Sequence, residues 1–418
     1  MALAHIILMA APGDLDRTFG NDGNVTTGLD MSHCFTLQED GKIVVAGILN
    51  SQVAVLRYEQ NGSIDTTFGT NGRVITDIPV GDHDFASDIA VQSDGKIVVG
   101  GWSAGNSPAH YAVIRYENNG TLDQTFGGGD GITTTEMGGT THSMALQKDG
   151  KIILAGDADS GSNETFGLVR YTTEGILDTS FGGGDGKVFT DVAQGGAWIN
   201  SIALQKDGKI VASGTSDDWT SWNMVTIRYT TSGDIDQSFG INGTVQTTFG
   251  TDSNRASCIA IQKDGKILVT GEGGGDQSNA VYNSEYATAR LDSNGSADLT
   301  FGSSGKVVTD ITGNGFTDRA ERLVLQENGK ILVVGDYATT ASGQYIRMAL
   351  LRYESNGTLD TAFGDRGKVS FGDNTAEDMA VQKDGKILVL GGNKVRRFEG
   401  DETEKPSLPL SAIYYLLD

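Results

Sequence analysis

From Ser201 to Thr248 the apolar positions gather into four short runs: Ser201 to Gln205, Lys209 to Gly214, Met224 to Tyr229 and Thr244 to Thr248. Short runs with alternating polar positions, bounded by Gly, Asp and Ser, predict β-strands. Asp207-Gly208 joins the first run to the second, and both residues are expected to take the positive φ that a tight hairpin requires.

The same unit recurs along the whole chain. Seven copies of an apolar-Gln-x-(Asp/Asn)-Gly-Lys-apolar pattern place lysines at Lys42, Lys96, Lys151, Lys209, Lys266, Lys330 and Lys386, with a mean spacing of about 57 residues. A second motif alternates with the first, and its Asp precedes a Phe by three residues, from Asp16 and Phe19 to Asp360 and Phe363. Seven copies of both motifs, with four short antiparallel strands per copy, predict an all-β chain folded as a seven-bladed β-propeller. Ahead of the first inner strand the chain supplies only an outer-type strand, LDRTFGNDGNVTT, and the last unit stops after Lys394 to Phe398. A strand near Asn24 to Thr27 is therefore predicted to complete the last blade and remove an open edge. The expected organisation is an apolar segment over 1–12, a propeller over 13–399 and a tail over 400–418.

LQKDGKIVVAG paired with RYxxxGxLDxTFGxxGKV resembles the bacterial delta-sixty repeat family, and the resemblance covers roughly Asp14 to Phe398. It implies a propeller of the kind found in large bacterial surface or secreted proteins. It implies no single activity and lends no catalytic residue. The first unit departs from the pattern by lacking the usual strand before LDRTFG, as a circularly offset, clasped repeat should.

Spacing separates scaffold from function. The Gln that ends the first strand and the Lys that opens the second are four residues apart in every unit, and the strand-three Arg precedes the motif Asp by eight in the six internal cases. The loops between strands two and three, and between one unit and the next, vary in length. Both variable loops emerge on one face of an up-and-down blade, so recognition is assigned to that face. Arg57, Arg115, Arg170, Arg228, Arg290 and Arg352 recur with the motif Asp and are read as structural, because an active site would not be copied into every blade. The motif Phe residues are expected to pack between blades.

Composition adds limits. Hydrophobic residues at 38% suffice for a core, and 59 Gly against 5 Pro suit many tight turns. The formal net charge of -23 argues against binding nucleic acid or an anionic membrane. Calcium would suit an acidic extracellular protein, but no EF-hand spacing is present. No stretch has the length of a membrane span. Ala2 to Ala11 reads either as a signal remnant or as an apolar segment packed on the fold, and the tail either folds back or supports self-assembly. Cys34 and Cys258 occupy equivalent positions too far apart for a disulfide.

The non-repeated side chains of units two to four supply the candidate ligand-binding set: Trp102, His110, Tyr111, His142, Trp198, Asp217, Asp218, Trp219 and Trp222. Aromatic rings beside His and Asp suit stacking and hydrogen bonding of a sugar, or anchoring of a protein. Five residues before each strand-one Gln stand His33, Ser87, His142, Asn200, Ser257, Glu321 and Glu377, expected as a polar ring at the channel mouth. The reading is an extracellular or cell-surface module that binds a glycan or a protein, with no catalytic residue and no cofactor assigned. Its alternatives are a metal-dependent hydrolase or lyase at the channel mouth, holding Ca2+ or a transition metal, and a structural subunit of a surface assembly.

Overall fold

A computed structural model describes residues 10–105, 108–159, 161, 164–250, 253–274, 284–313, 315–340 and 346–401. Most of the apolar N-terminal segment and the tail beyond 401 lie outside the described residues. No helix among the described residues is long and apolar enough to cross a membrane.

Seven four-stranded antiparallel sheets form the blades. Their inner strands are Met31–Leu37, His83–Val91, Thr141–Leu146, Gly196–Leu204, Arg255–Ile261, Asp318–Leu325 and Ala376–Val381, in blades 1 to 7. Blade 4 continues with Ile210–Asp217, Trp222–Tyr229 and Thr244–Thr247. Its strands stand in the expected order, but the first three extend further toward the variable loops. The hairpin after the inner strand also differs from expectation. Gly208 alone has a positive φ, of 83°, and its N–H donates to the Gln205 carbonyl. Asp207 instead accepts the Lys209 N–H on its carboxylate at 3.2 Å, as short polar side chains do in turns.

A single blade cannot bury both of its faces, and the core consequently lies between blades. Phe68, Val44 and Val55 of blade 1 pack with Ile97, Ala112 and Tyr116 of blade 2 in one cluster. Each of the other six clusters likewise joins two neighbouring blades.

At the standardised face a buried ionic knot links each blade to the next. Asp65 Oδ2 accepts Lys42 Nζ and Arg57 Nε, both at 2.7 Å. Its Oδ1 accepts the N–H and hydroxyl of Thr67, fixing the turn. Arg57 lies 4.7 Å over the Phe68 ring and donates to the Asn118 carbonyl of blade 2. Burial alone would raise the Asp65 carboxyl, but the hydrogen bonds from Lys42, Thr67 and Arg57 override it and hold the group well below the usual carboxylate range. Gly69, after the Phe, is at φ 50°, where a Cβ would sit 2.4 Å from the Arg73 carbonyl oxygen.

The seventh knot is built from both ends of the chain. Asp16 and Phe19 come from the N-terminal side, while Lys386 at 2.8 Å and Arg397 at 2.7 Å come from the last two strands. Arg397 caps Phe19 at 4.6 Å and donates to the Gln60 carbonyl of blade 1. Beside the knot, Asn24–Thr26 pairs antiparallel with Lys394–Phe398, Val25 facing Val395. The expected closure is therefore present, and Arg397 is the seventh member of the Arg series.

Replacing Asp16 with Asn should cost about 3 kcal/mol in urea unfolding, because two cations lose their buried counter-charge. The exposed pair of Asp22 with Arg17 at 2.7 Å is the control: Asp22→Asn should cost less than about 1 kcal/mol. Equal effects from both changes would show that the clasp does not depend on the buried knot.

Candidate functional site

Each inner strand contains one β-bulge, and the skipped residue is in turn His33, Ser87, His142, Asn200, Ser257, Glu321 and Glu377. A bulge re-aims a side chain and terminates strict alternation. All seven of these residues line one cavity of about 470 Å³ on the variable face. The residues that follow them, among them Cys34, Asp88, Ser143, Cys258, Arg322 and Asp378, line a smaller space beneath. Two successive side chains thus face the channel at every bulge.

The lower layer seals the open inner edges of the strands. Asp88 Oδ2 accepts Met144 N–H of blade 3 at 2.8 Å, and Asp378 Oδ2 accepts Phe35 N–H of blade 1 at 2.9 Å. Ser143 accepts the equivalent N–H of Ile202 in blade 4 at 3.2 Å. A buried backbone donor needs such a partner. Arg322 Nε lies 3.7 Å from Asp378 and balances the charge of this layer. Burial pushes Asp88 up to about 7 despite its hydrogen bonds. Cys34 and Cys258 are free and buried, and burial pushes the Cys34 thiol up.

The cavity has two unlike walls. On one, Trp102 stacks on Phe85 with centroids 4.1 Å apart and planes at 7°. Trp198 meets Trp222 edge-on at 6.2 Å, and the Arg255 guanidinium lies 3.2 Å over Trp222. On the other, Glu272 sits between Arg255 and Arg319, each Nε 3.3 Å from one of its oxygens. His142 Nε2 is 2.9 Å from Asp157 Oδ1, which also accepts the Thr140 hydroxyl. Among the described residues no group of three His, Cys, Asp or Glu side chains is arranged to hold a metal ion.

The structure distributes the candidate residues unevenly. Trp102, His142 and Trp198 line the cavity, and Trp222 stands behind Trp198. Tyr111 is not on the face at all: it is fully buried in the core between blades 2 and 3, where its hydroxyl donates to the Asp157 carbonyl at 2.6 Å. Strand alternation turns it inward. His110 rests against the Pro108 carbonyl at 2.9 Å. Asp217 and Asp218 build a turn, accepting the N–H groups of Trp219 and of Thr220 and Ser221. Trp219 projects from that turn, 70% exposed and at φ 70°. Phe85, Arg255 and Arg319 were absent from the candidate set. They share a repeat position with Trp198, two residues before the bulge, so counting two residues back from the ring would have found them.

A larger cavity of about 980 Å³ opens on the standardised face, lined by turn residues such as Gln205, Lys206, Asp207 and Gly208 and their equivalents in blades 3 and 5. Its lining is largely repeated motif, which every blade uses as scaffold.

A family model described as "Domain of unknown function (DUF5122) beta-propeller" matches residues 38–68, 92–126, 147–181, 205–239, 262–301 and 326–363. No curated protein matches the chain. Among solved structures, virginiamycin B lyase from Staphylococcus aureus superposes with TM-score 0.51 at 12% identity, over 90% of this chain and 98% of that one. Drosophila Plexin A in complex with Semaphorin 1b gives TM-score 0.47 at 9% identity, over 93% and 88%. At such identities the likeness concerns the fold alone.

Asp88, Asp336 and Glu321 have carboxyls raised by burial to about 7, 7 and 8. A raised carboxyl contributes stability that is complete below its unfolded value and disappears as pH climbs through its folded value. Thermal stability should accordingly fall between about pH 5 and about pH 8. Asp88→Asn should flatten that fall, and a profile as steep as the parent's would show that Asp88 does not titrate there.

Proposed function

The chain belongs to the DUF5122 beta-propeller family, and from that premise we propose that it is a binding module whose variable face takes up a glycan at the channel mouth. The observation behind this reading is the convergence of the seven bulge residues with Trp102 and Trp198 on one cavity. Ser87, Asn200, Ser257 and the two histidines offer hydrogen-bond donors and acceptors suited to hydroxyl groups. The indoles offer flat apolar platforms with little conformational entropy to lose. A pocket of this size with a few convergent polar groups has the usual form of a small-ligand site. We place the protein outside the cell or at its surface, in keeping with the resemblance to delta-sixty repeats. No residue is assigned a catalytic role.

Trp219 favours a second reading, docking of a protein. It is a large exposed aromatic on a turn that Asp217 and Asp218 hold rigid, and such residues often anchor interfaces.

A screen of neutral, acidic and amino oligosaccharides should identify a ligand, and Trp198→Ala should then weaken binding by about thirtyfold, corresponding to about 2 kcal/mol. Lys148→Ala, in the cavity of the opposite face, should leave affinity unchanged. The reverse pattern would place recognition on the standardised face. If no glycan binds and Trp219→Ala abolishes capture of a protein partner, the second reading replaces the first.

A further inference from the structure

The cavity of about 980 Å³ on the standardised face spans blades 3, 4 and 5, and there the chain departs from its own repeat. In blades 1, 2, 6 and 7 the knot lysine meets a second carboxylate, that of Glu59, Glu117, Glu354 or Glu399, at 2.7 to 3.6 Å. The equivalent residues of blades 3 and 4 are Thr172 and Thr230. Lysines also follow the Gln of the inner strand at Lys148, Lys206 and Lys263, where blades 1, 2 and 6 have Glu39, Ser93 and Glu327.

The groove between blades 1 and 2 shows what the donors of such a surface hold. There the side-chain oxygen of Asn118 accepts Gln38 Nε2 at 2.8 Å and Arg57 Nη1 at 3.0 Å. Thr231 and Ser293 stand at the equivalent positions of blades 4 and 5, and both line the cavity. Each still accepts the guanidinium of the preceding blade, Arg170 or Arg228, on its carbonyl oxygen. Their hydroxyls are too short to take the place of the Asn118 carboxamide. Gln205 gives its oxygen to Arg228 Nη1 at 3.2 Å, and among the described residues its Nε2 has no acceptor. Lys148 Nζ likewise has no hydrogen-bond or ion-pair partner among them.

Six cationic side chains line the cavity with three aspartates. Asp149, Asp207 and Asp264 each accept an N–H of their own hairpin, as Asp40 and Asp94 do in blades 1 and 2. Asp178, Asp236 and Glu327 bring the sector close to neutral, on a chain whose net charge is -23. An anion is therefore repelled less here than beside the lysines that carry a second glutamate.

We infer that this cavity binds an acidic peptide segment of a partner protein, with carboxylates entering the grooves at Thr231 and Ser293. A carboxylate has the planar shape of the Asn118 carboxamide and accepts from both Gln and Arg donors. Two such positions on successive blade interfaces suit a chain that carries carboxylates at intervals, and Leu204 and Ile261 offer it apolar contact. The site is separate from the glycan cavity and does not rest on that reading.

The test is titration calorimetry with octaglutamate, octaglutamine and inorganic phosphate, at about pH 7 and about 0.15 M salt, where glutamates are ionised and long-range repulsion is screened. Octaglutamate should bind at least about tenfold more tightly than octaglutamine. Thr231→Asn and Ser293→Asn put the chain's own carboxamide into each groove, and each should weaken octaglutamate binding at least about fivefold. Lys148→Gln should weaken it too, while Trp198→Ala, in the opposite cavity, should leave it unchanged. The Asn variants copy a residue that the fold already holds at Asn118, and an undiminished melting temperature would separate lost binding from lost folding. Equal affinity for the two peptides overturns the inference, as does parental affinity in both Asn variants or loss of binding in Trp198→Ala. Binding of phosphate without octaglutamate overturns the peptide assignment in favour of a phosphorylated ligand.

Discussion

A buried aspartate whose single oxygen meets a lysine ammonium and an arginine guanidinium holds one blade of this propeller to the next. The carboxylate is almost fully withdrawn from solvent, as at Asp65 and Asp123, and such a group is tolerable only when its partners are fixed in place. Each partner is set by a turn: the Lys by the hairpin after the inner strand, the Arg and Asp by the hairpin before the outer one. Neither turn can change length without stranding a buried charge. The requirement keeps one face of the ring uniform and leaves the opposite loops free to differ.

A uniform, rigid ring allows the inner strands to vary in their side chains alone. The bulge in each strand delivers one residue to the channel mouth and the next to the layer beneath. The lower layer includes Asp88, Ser143 and Asp378, which cap otherwise unpaired backbone donors of the next blade and so belong to the scaffold. The upper layer has fewer such duties. Ser, Asn, His and Glu occupy equivalent positions there, and the chemistry of the cavity is set by which of them each blade presents.

The ring tolerates this variety because its closure does not depend on the channel. The clasp joins Asp16 and Phe19 to Lys386 and Arg397 on the standardised face, and Asn24–Thr26 to the last strand. Buried carboxyls raised above neutrality, such as Glu321, oppose the stability that the knots provide. Asp318, raised to about 7 by burial beside the Ile311 N–H, opposes it in the same way outside the channel lining.

The number of blades, the strand order, the clasp and the identity of the ring residues were all legible in the sequence. Each rests on local chemistry repeated many times, an Asp-Gly turn or an alternating run, and a unit seen seven times corrects the ambiguity of any single copy. His33, Glu321 and Glu377 could be found by counting because the bulge falls at one position in every repeat. The direction of individual side chains was decided elsewhere. Tyr111 reads like a surface aromatic until the packing of blade 2 on blade 3 encloses it, and Asp217 and Asp218 read like ligands until the turn under Trp219 takes their oxygens. Arg397 acquires its role only when Asp16, 381 residues away in sequence, returns to meet it. Arg255 and Arg319 are brought onto one carboxylate by the meeting of blades 5 and 6. Periodicity is a property of neighbours along the chain, whereas a cavity is shared by residues that the closure of the ring makes neighbours in space.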